Sequence, residues 1–185
     1  MTNIETHPLQ PFLPKSAKIL ILGSFPPKKA RWSMEFFYPN MQNDMWRIFG
    51  LIFYNNKEYF VTNKKFDAER IKEFCANNGI ALYDTAKSII RLKDNASDHF
   101  LEVVEKINLE KILLEIPQCK TIVVTGKKAT DTILGIISTQ EPEIGSFSEF
   151  EYIGRAMRLY RMPSSSRAYP KPLEEKALIY KKLFD

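Results

Sequence analysis

Continuous apolar runs alternate with helical stripes along the chain. Four runs, at residues 19–22, 80–83, 121–125 and 157–161, read as strands buried on both faces of a parallel sheet. Residues 43–53 carry Trp46, Ile48, Phe49 and Ile52 at helical spacing, with Asn43 or Asp44 as N-cap. Residues 67–77 are amphipathic and stop at Gly79. Residues 97–107 place Phe100, Leu101, Val104 and Ile107 on one stripe behind Ser97, which predicts a helix. Further helices are predicted over 108–116, before Pro117, over 127–137 and over 173–184. Residues 54–65 and 138–154 read as irregular excursions. The alternation predicts one α/β domain over residues 1–185, a three-layer α/β/α sandwich around a four-stranded, mostly parallel sheet.

Such sheets bind ligands beyond the carboxyl ends of their strands. Those ends are residues 23–27, 84–89, 126–129 and 163–168, and the site is expected there. The first is the turn Gly23-Ser24-Phe25-Pro26-Pro27, which is neither a P-loop nor a GxGxxG fingerprint. It leads into Phe36, Phe37 and Tyr38, which either stack on a ligand or join the core, and then into Asn43. An amide is too weak a base to deprotonate water but can orient it, which suits a dissociative transition state. Asp84 serves a site or caps the turn through the Thr85 and Ala86 N–H groups. The last loop, Pro163-Ser164-Ser165-Ser166-Arg167-Ala168, is slim, hydroxyl-rich and basic, as phosphate contact requires. A serine nucleophile fits less well, because a G-x-S-x-G elbow is missing. Lys127 and Lys128 open a helix, where anions are attracted or water solvates the first turn.

Charge sharpens the picture. The formal net charge is only +5, but residues 14–34 hold five basic side chains and no acid, and residues 155–172 do the same. Both stretches surround the candidate loops, which favours a polyanionic partner. At 185 residues and 44% hydrophobic composition, the chain is long and apolar enough for a core of its own. Cys75 and Cys119 lack CxxC spacing and do not cluster with His7 or His99, so neither a zinc site nor an iron–sulfur cluster is expected. With no signal-like leader and no bilayer-length apolar run, the expectation is a cytoplasmic protein, monomeric and without a cofactor or membrane partner.

Taken together, these segments resemble the uracil-DNA glycosylase superfamily, most nearly its mismatch-specific and hypoxanthine-type branches. GSFPP (23–27) resembles the family's first motif, G-x-x-P-G; FFYPNMQNDMWRIFG (36–50) resembles the branch pattern of aromatics and proline before an Asn; GIALYDTAKSIIR (79–91) resembles the next strand and turn; and RMPSSSRA (161–168) resembles the second catalytic loop, H-P-S-x-x-S. The resemblance covers most of the chain. It implies a monofunctional DNA glycosylase of base excision repair, removing uracil or hypoxanthine from DNA with a damaged or mismatched base. It implies Asn43 as the catalytic residue and Gly23, Ser24, Phe25, Pro26, Tyr38 and Asp84 as base-binding. Lys127, Met162, Ser164, Ser165, Ser166 and Arg167 would bind DNA, with Met162 or Arg167 as the wedge that fills the vacated stack. The sequence departs from the classical members at Ser24 and Phe25, where an Asp or Asn is usual, at Pro27 in place of Gly, and at Met162 in place of His. These departures leave a second reading open, a homologue that binds nucleic acid or a nucleotide without cleaving it.

Overall fold

The computed structural model describes residues 3–94 and 97–185. In chain order the elements are β1 (Ile4–Thr6), β2 (Ile19–Gly23), α1 (Met45–Tyr54), β3 (Val61–Thr62), β4 (Lys65–Phe66), α2 (Ala68–Asn77), β5 (Ile80–Asp84) and β6 (Ala86–Arg91), followed by β7 (Leu101–Lys106), α3 (Leu109–Glu115), β8 (Thr121–Thr125), α4 (Lys127–Leu134), β9 (Ser146–Tyr152), β10 (Arg155–Met162) and α5 (Leu173–Lys181).

The central sheet has the order β5-β2-β8-β10-β9. Its first four strands are parallel and correspond to the four apolar runs; β2, β5 and β8 are buried along almost their whole length, whereas β10, expected to be so, alternates buried Met157, Leu159 and Met162 with exposed Ala156 and Arg158. The α/β sandwich around a mostly parallel sheet is therefore as expected, but the sheet has a fifth strand. β9 pairs antiparallel with β10 in the segment expected to be irregular. Its sequence, SFSEFEY, alternates in character, and as an edge strand it leaves most of its side chains in water.

A second correction concerns residues 97–107. They form a short 3-10 turn, Asp98–Phe100, and then strand β7, not a helix. β7 pairs with β6, which also pairs with β1, in a separate antiparallel sheet. The pattern of Phe100, Leu101, Val104 and Ile107 satisfies helical spacing by coincidence. Cross-strand pairing with β6 and burial of Leu101 against Phe25, Ala86 and Ile89 decide the outcome. Consequently residues 86–89, expected in a loop, lie in β6.

The helices end where local chemistry dictates. Asp67 caps α2 by accepting the Arg70 N–H at 3.1 Å, and Asn108 caps α3 from Lys111 at 2.9 Å. The core centres on Leu20, Ile21, Leu22, Val123 and Trp46, all fully buried. Trp46 satisfies its indole N–H on the Phe37 carbonyl at 3.0 Å, so its burial leaves no orphan donor. α1 and α5 pack together through Phe49, whose ring lies 6.5 Å from Tyr180 and 5.9 Å from Phe184. This contact places the C-terminal helix behind the loop that follows β10.

Candidate active site

A cavity of about 1030 Å³ opens at the carboxyl ends of β2, β5, β8 and β10, where Gly23, Asp84, Thr125 and Met162 terminate their strands. The first-strand turn and the serine loop form its walls, and Asn43 stands between them. The two separated loops are joined backbone to backbone. The Asp44 N–H donates to the Ser165 carbonyl at 2.8 Å, and the Arg167 N–H donates to the Gln42 carbonyl at 3.0 Å, with Asn43 bridged to Ser166 between them.

Charge underpins this junction. The buried Asp44 carboxylate accepts from Arg167 Nε at 3.0 Å and has Arg47 Nη1 at 3.6 Å and Lys176 Nζ at 4.0 Å. Although Asp44 is the N-cap residue of α1, its carboxylate makes no cap bond and is turned to these cations instead. Lys176 is itself buried and donates to the Ser166 carbonyl at 2.8 Å. Burial pushes its ammonium below the usual lysine range, with the Asp44 carboxylate opposing. Tyr180 donates to the Pro163 carbonyl at 2.6 Å, so α5 holds the serine loop at both ends.

Asn43 is half-buried and lines the cavity. Its Oδ1 accepts the Met45 N–H at 3.0 Å, which fixes the side-chain plane one residue before the helix cap. An amide oxygen has a second lone pair and the NH₂ has two donors, so the group retains capacity to hold a water. The capping and the water-holding roles weighed from sequence are therefore compatible.

The floor of the cavity is acidic and aromatic. Asp84 Oδ2 accepts from His7 Nε2 at 2.7 Å, and the Leu9 N–H meets His7 Nδ1 at 3.1 Å. His7 packs edge-on to Phe25 at 5.2 Å and against Tyr83 at 4.7 Å. Asp84 is not a turn cap, because the Thr85 and Ala86 N–H groups bond the Gly23 and Ser24 carbonyls. Its other oxygen lies over Gly23. A Cβ there would sit 2.6 Å from Asp84 Oδ1 and 3.1 Å from Tyr38 Oη, which explains the glycine. Tyr38 has a left-handed φ of 52° and hydrogen-bonds Thr125 Oγ1 at 3.1 Å. Burial, with help from the Asp84 charge, holds its phenol far above the usual tyrosine range, so it is a neutral donor or acceptor. Phe36 belongs to the core beside Trp46, whereas Phe37 and Tyr38 reach the cavity wall.

Asp98, from the short turn before β7, also lines the cavity, as does Ser24. The residue is only partly covered overall, and burial of its carboxyl raises its pKa. The Ser24 side chain opposes the rise, the Asp84 charge adds to it, and Lys128 and Arg91 oppose it. The first-strand turn is braced from outside by Arg91, which donates to the Pro26 carbonyl at 3.1 Å while paired to Glu5 at 3.0 Å.

Of the other residues singled out from sequence, Ser165 is buried, while Ser164 and Ser166 use their hydroxyls to accept the Ser166 and Ala168 N–H groups, both at 3.2 Å. Arg167 stays half exposed despite its bond to Asp44. Met162 is fully buried at the base of the cavity, which removes it from the surface where a wedge would act. Lys127 stands at the rim, paired with Asp131 at 2.6 Å and Glu141 at 3.1 Å. His7, Asp98 and Lys176 were not anticipated. His7 lies 77 positions from its partner, Asp98 falls in the segment misread as helix, and Lys176 looks like any surface lysine in sequence. Among the described residues, no group of three or more His, Cys, Asp and Glu side chains is placed to hold a metal ion, and no helix is long and apolar enough to cross a membrane.

No family model and no curated protein matches the chain. Among solved structures, the chain matches the solution NMR structure of a protein from Methanosarcina acetivorans described as a putative uracil DNA glycosylase, with a TM-score of 0.65 and 21% identity. The match covers 99% of this chain and 100% of the other, so the two share one fold from end to end.

Proposed function

We propose that the protein is a monofunctional DNA glycosylase that hydrolyses the N-glycosidic bond of a deaminated base, uracil or hypoxanthine, in DNA. It would work as a cytoplasmic monomer in base excision repair, on strands with a damaged or mismatched base. One observation carries this reading: Asn43 and the serine loop are locked together at the mouth of a single cavity large enough for a nucleotide, beyond four strand ends. The fold shared with the protein described as a putative uracil DNA glycosylase supports it.

In this mechanism the target nucleotide leaves the stack and enters the cavity, at least cost where it is mispaired. Ser164, Ser166 and Arg167 meet the flanking phosphates. With Met162 buried, Arg167 is the side chain available to fill the vacated stack. Phe25 or Tyr38 stacks on the base, and Asp84 accepts a hydrogen bond from a ring N–H, as both uracil and hypoxanthine offer. Asn43 holds water against C1′ as the sugar becomes oxocarbenium-like. The phosphates stabilise that cation, and the leaving base must be stabilised by hydrogen bonds.

A panel of duplex oligonucleotides with uracil, hypoxanthine, xanthine or mismatched thymine, followed by alkali, tests the reading. Abasic product from at least one lesion is expected, with Asn43→Ala lowering the rate by about 100-fold or more while DNA binding persists. Product at the full rate in that variant removes Asn43 from the chemistry. The alternative, a binding homologue, draws on Ser24 and Phe25 standing where the classical members carry an acid or amide. Lesion binding without abasic product from any base decides for it.

A further inference from the structure

The cavity floor contains two carboxyl groups in unlike surroundings. Asp84, at the end of β5, has one oxygen on His7 and the other over Gly23, so it is fixed as an acceptor. Asp98, on the turn before β7, lines the same cavity. It shares that cavity with Ser24 and Tyr38 after β2, Asp84 on β5, Arg91 on β6 and Lys128 on α4, with His99 beside it on its own turn. Two carboxyls line one site, Asp84 held by a hydrogen bond to His7 and Asp98 with its acid form favoured by burial. The serine loop and the buried Met162 before it hold no carboxyl or imidazole that could act as an acid toward a departing base.

We propose that Asp98 is the catalytic acid that protonates the departing base. The inference rests on the glycosylase reading of the same cavity. Water held by Asn43 forms the new C1′–O bond. The C1′–N bond breaks and its electron pair stays on the base nitrogen. The Asp98 proton moves to a ring nitrogen or carbonyl oxygen of the base, which leaves neutral. The proton released by the water returns the Asp98 carboxylate to its acid form. Burial and the neighbouring Asp84 charge favour that acid form, against Lys128 and Arg91.

The experiment measures single-turnover excision against pH for the full-length protein, Asp98→Asn and Asp98→Glu. The substrates are duplexes with hypoxanthine, uracil or 5-fluorouracil, the last a base whose ring anion is the more stable. For the wild type, the rate falls as pH rises through the Asp98 pKa. Asp98→Asn loses that falling limb and about 100-fold in rate on uracil and hypoxanthine, and clearly less on 5-fluorouracil. Asp98→Glu keeps the falling limb. Lesion binding by Asp98→Asn at wild-type affinity shows that the variant is folded. An equal loss on all three bases, or a falling limb that survives in Asp98→Asn, overturns the assignment and leaves the glycosylase reading intact. Absence of product from the wild type on every lesion removes both.

Discussion

Lys176 sets a fully buried ammonium under the carbonyl oxygen of Ser166, 2.8 Å away, and so ties the C-terminal helix to the loop that walls the cavity. Hydrogen bonds from charged donors are among the strong ones, at about 1.5–3 kcal/mol each. Lys176→Met keeps much of the side chain's volume and removes the donor. Chemical denaturation should show a loss of about 2 kcal/mol, and excision should fall more than lesion binding because the loop loses its seat. A variant as stable and as active as the wild type would contradict this role.

Gly23 is enclosed by groups that cannot retreat. Asp84 is held by His7, and Tyr38 by Thr125, so a Cβ 2.6 Å from Asp84 Oδ1 has no room. Gly23→Ala should therefore lower excision by roughly 100-fold, with binding to undamaged duplex nearly unchanged, since the flanking-phosphate groups lie in the other loop. Rates and affinities measured on the same preparation check both halves.

Arg167 serves two partners in sequence, Asp44 in the free protein and a phosphate in the proposed complex. Arg167→Ala should weaken binding to every duplex, most where a base is extruded, and reduce the slope of log affinity against log salt by about 1. An unchanged slope would place the arginine outside the phosphate contacts. Lys127 is paired with two acids, so Lys127→Ala should alter the slope less.

The raised pKa of the Asp98 carboxyl has a signed effect on stability. Burial disfavours its charged form, so its pKa lies higher in the folded than in the unfolded chain. Its contribution to stability is complete below the unfolded-state pKa and declines as pH rises through the folded-state value. Asp98→Asn should thus gain in melting temperature relative to the wild type as pH increases, and the gain should vanish in acid. A difference that is constant with pH would mean that the carboxyl is not perturbed.

The strands that carry the site were legible because burial on both faces leaves uninterrupted apolar runs, as at Leu20 to Leu22 and Ile122 to Val124. Their ends located Gly23, Asp84 and the serine loop, and the Asn43 helix entrance announced itself by its caps. β7 was not legible, since Leu101, Val104 and Ile107 suit a helix, and only pairing with β6 rejects it. β9 escaped because an exposed edge strand carries little apolar signal. His7 and Lys176 escaped for another reason. A buried polar contact is a property of two distant positions, and neither residue alone differs from a solvated one.

Two main-chain hydrogen bonds, from the Asp44 N–H to the Ser165 carbonyl and from the Arg167 N–H to the Gln42 carbonyl, pair Asn43 with Ser166 and have a consequence for how a nucleotide would be received. Main-chain bonds of this kind do not lengthen gradually; they hold or they break together. On the glycosylase reading, the aperture therefore has its width before any nucleic acid arrives, and the ordering entropy has been met during folding and not at the encounter. Selection then falls on the incoming strand, which must supply the distortion, so helices that are already weakened enter first.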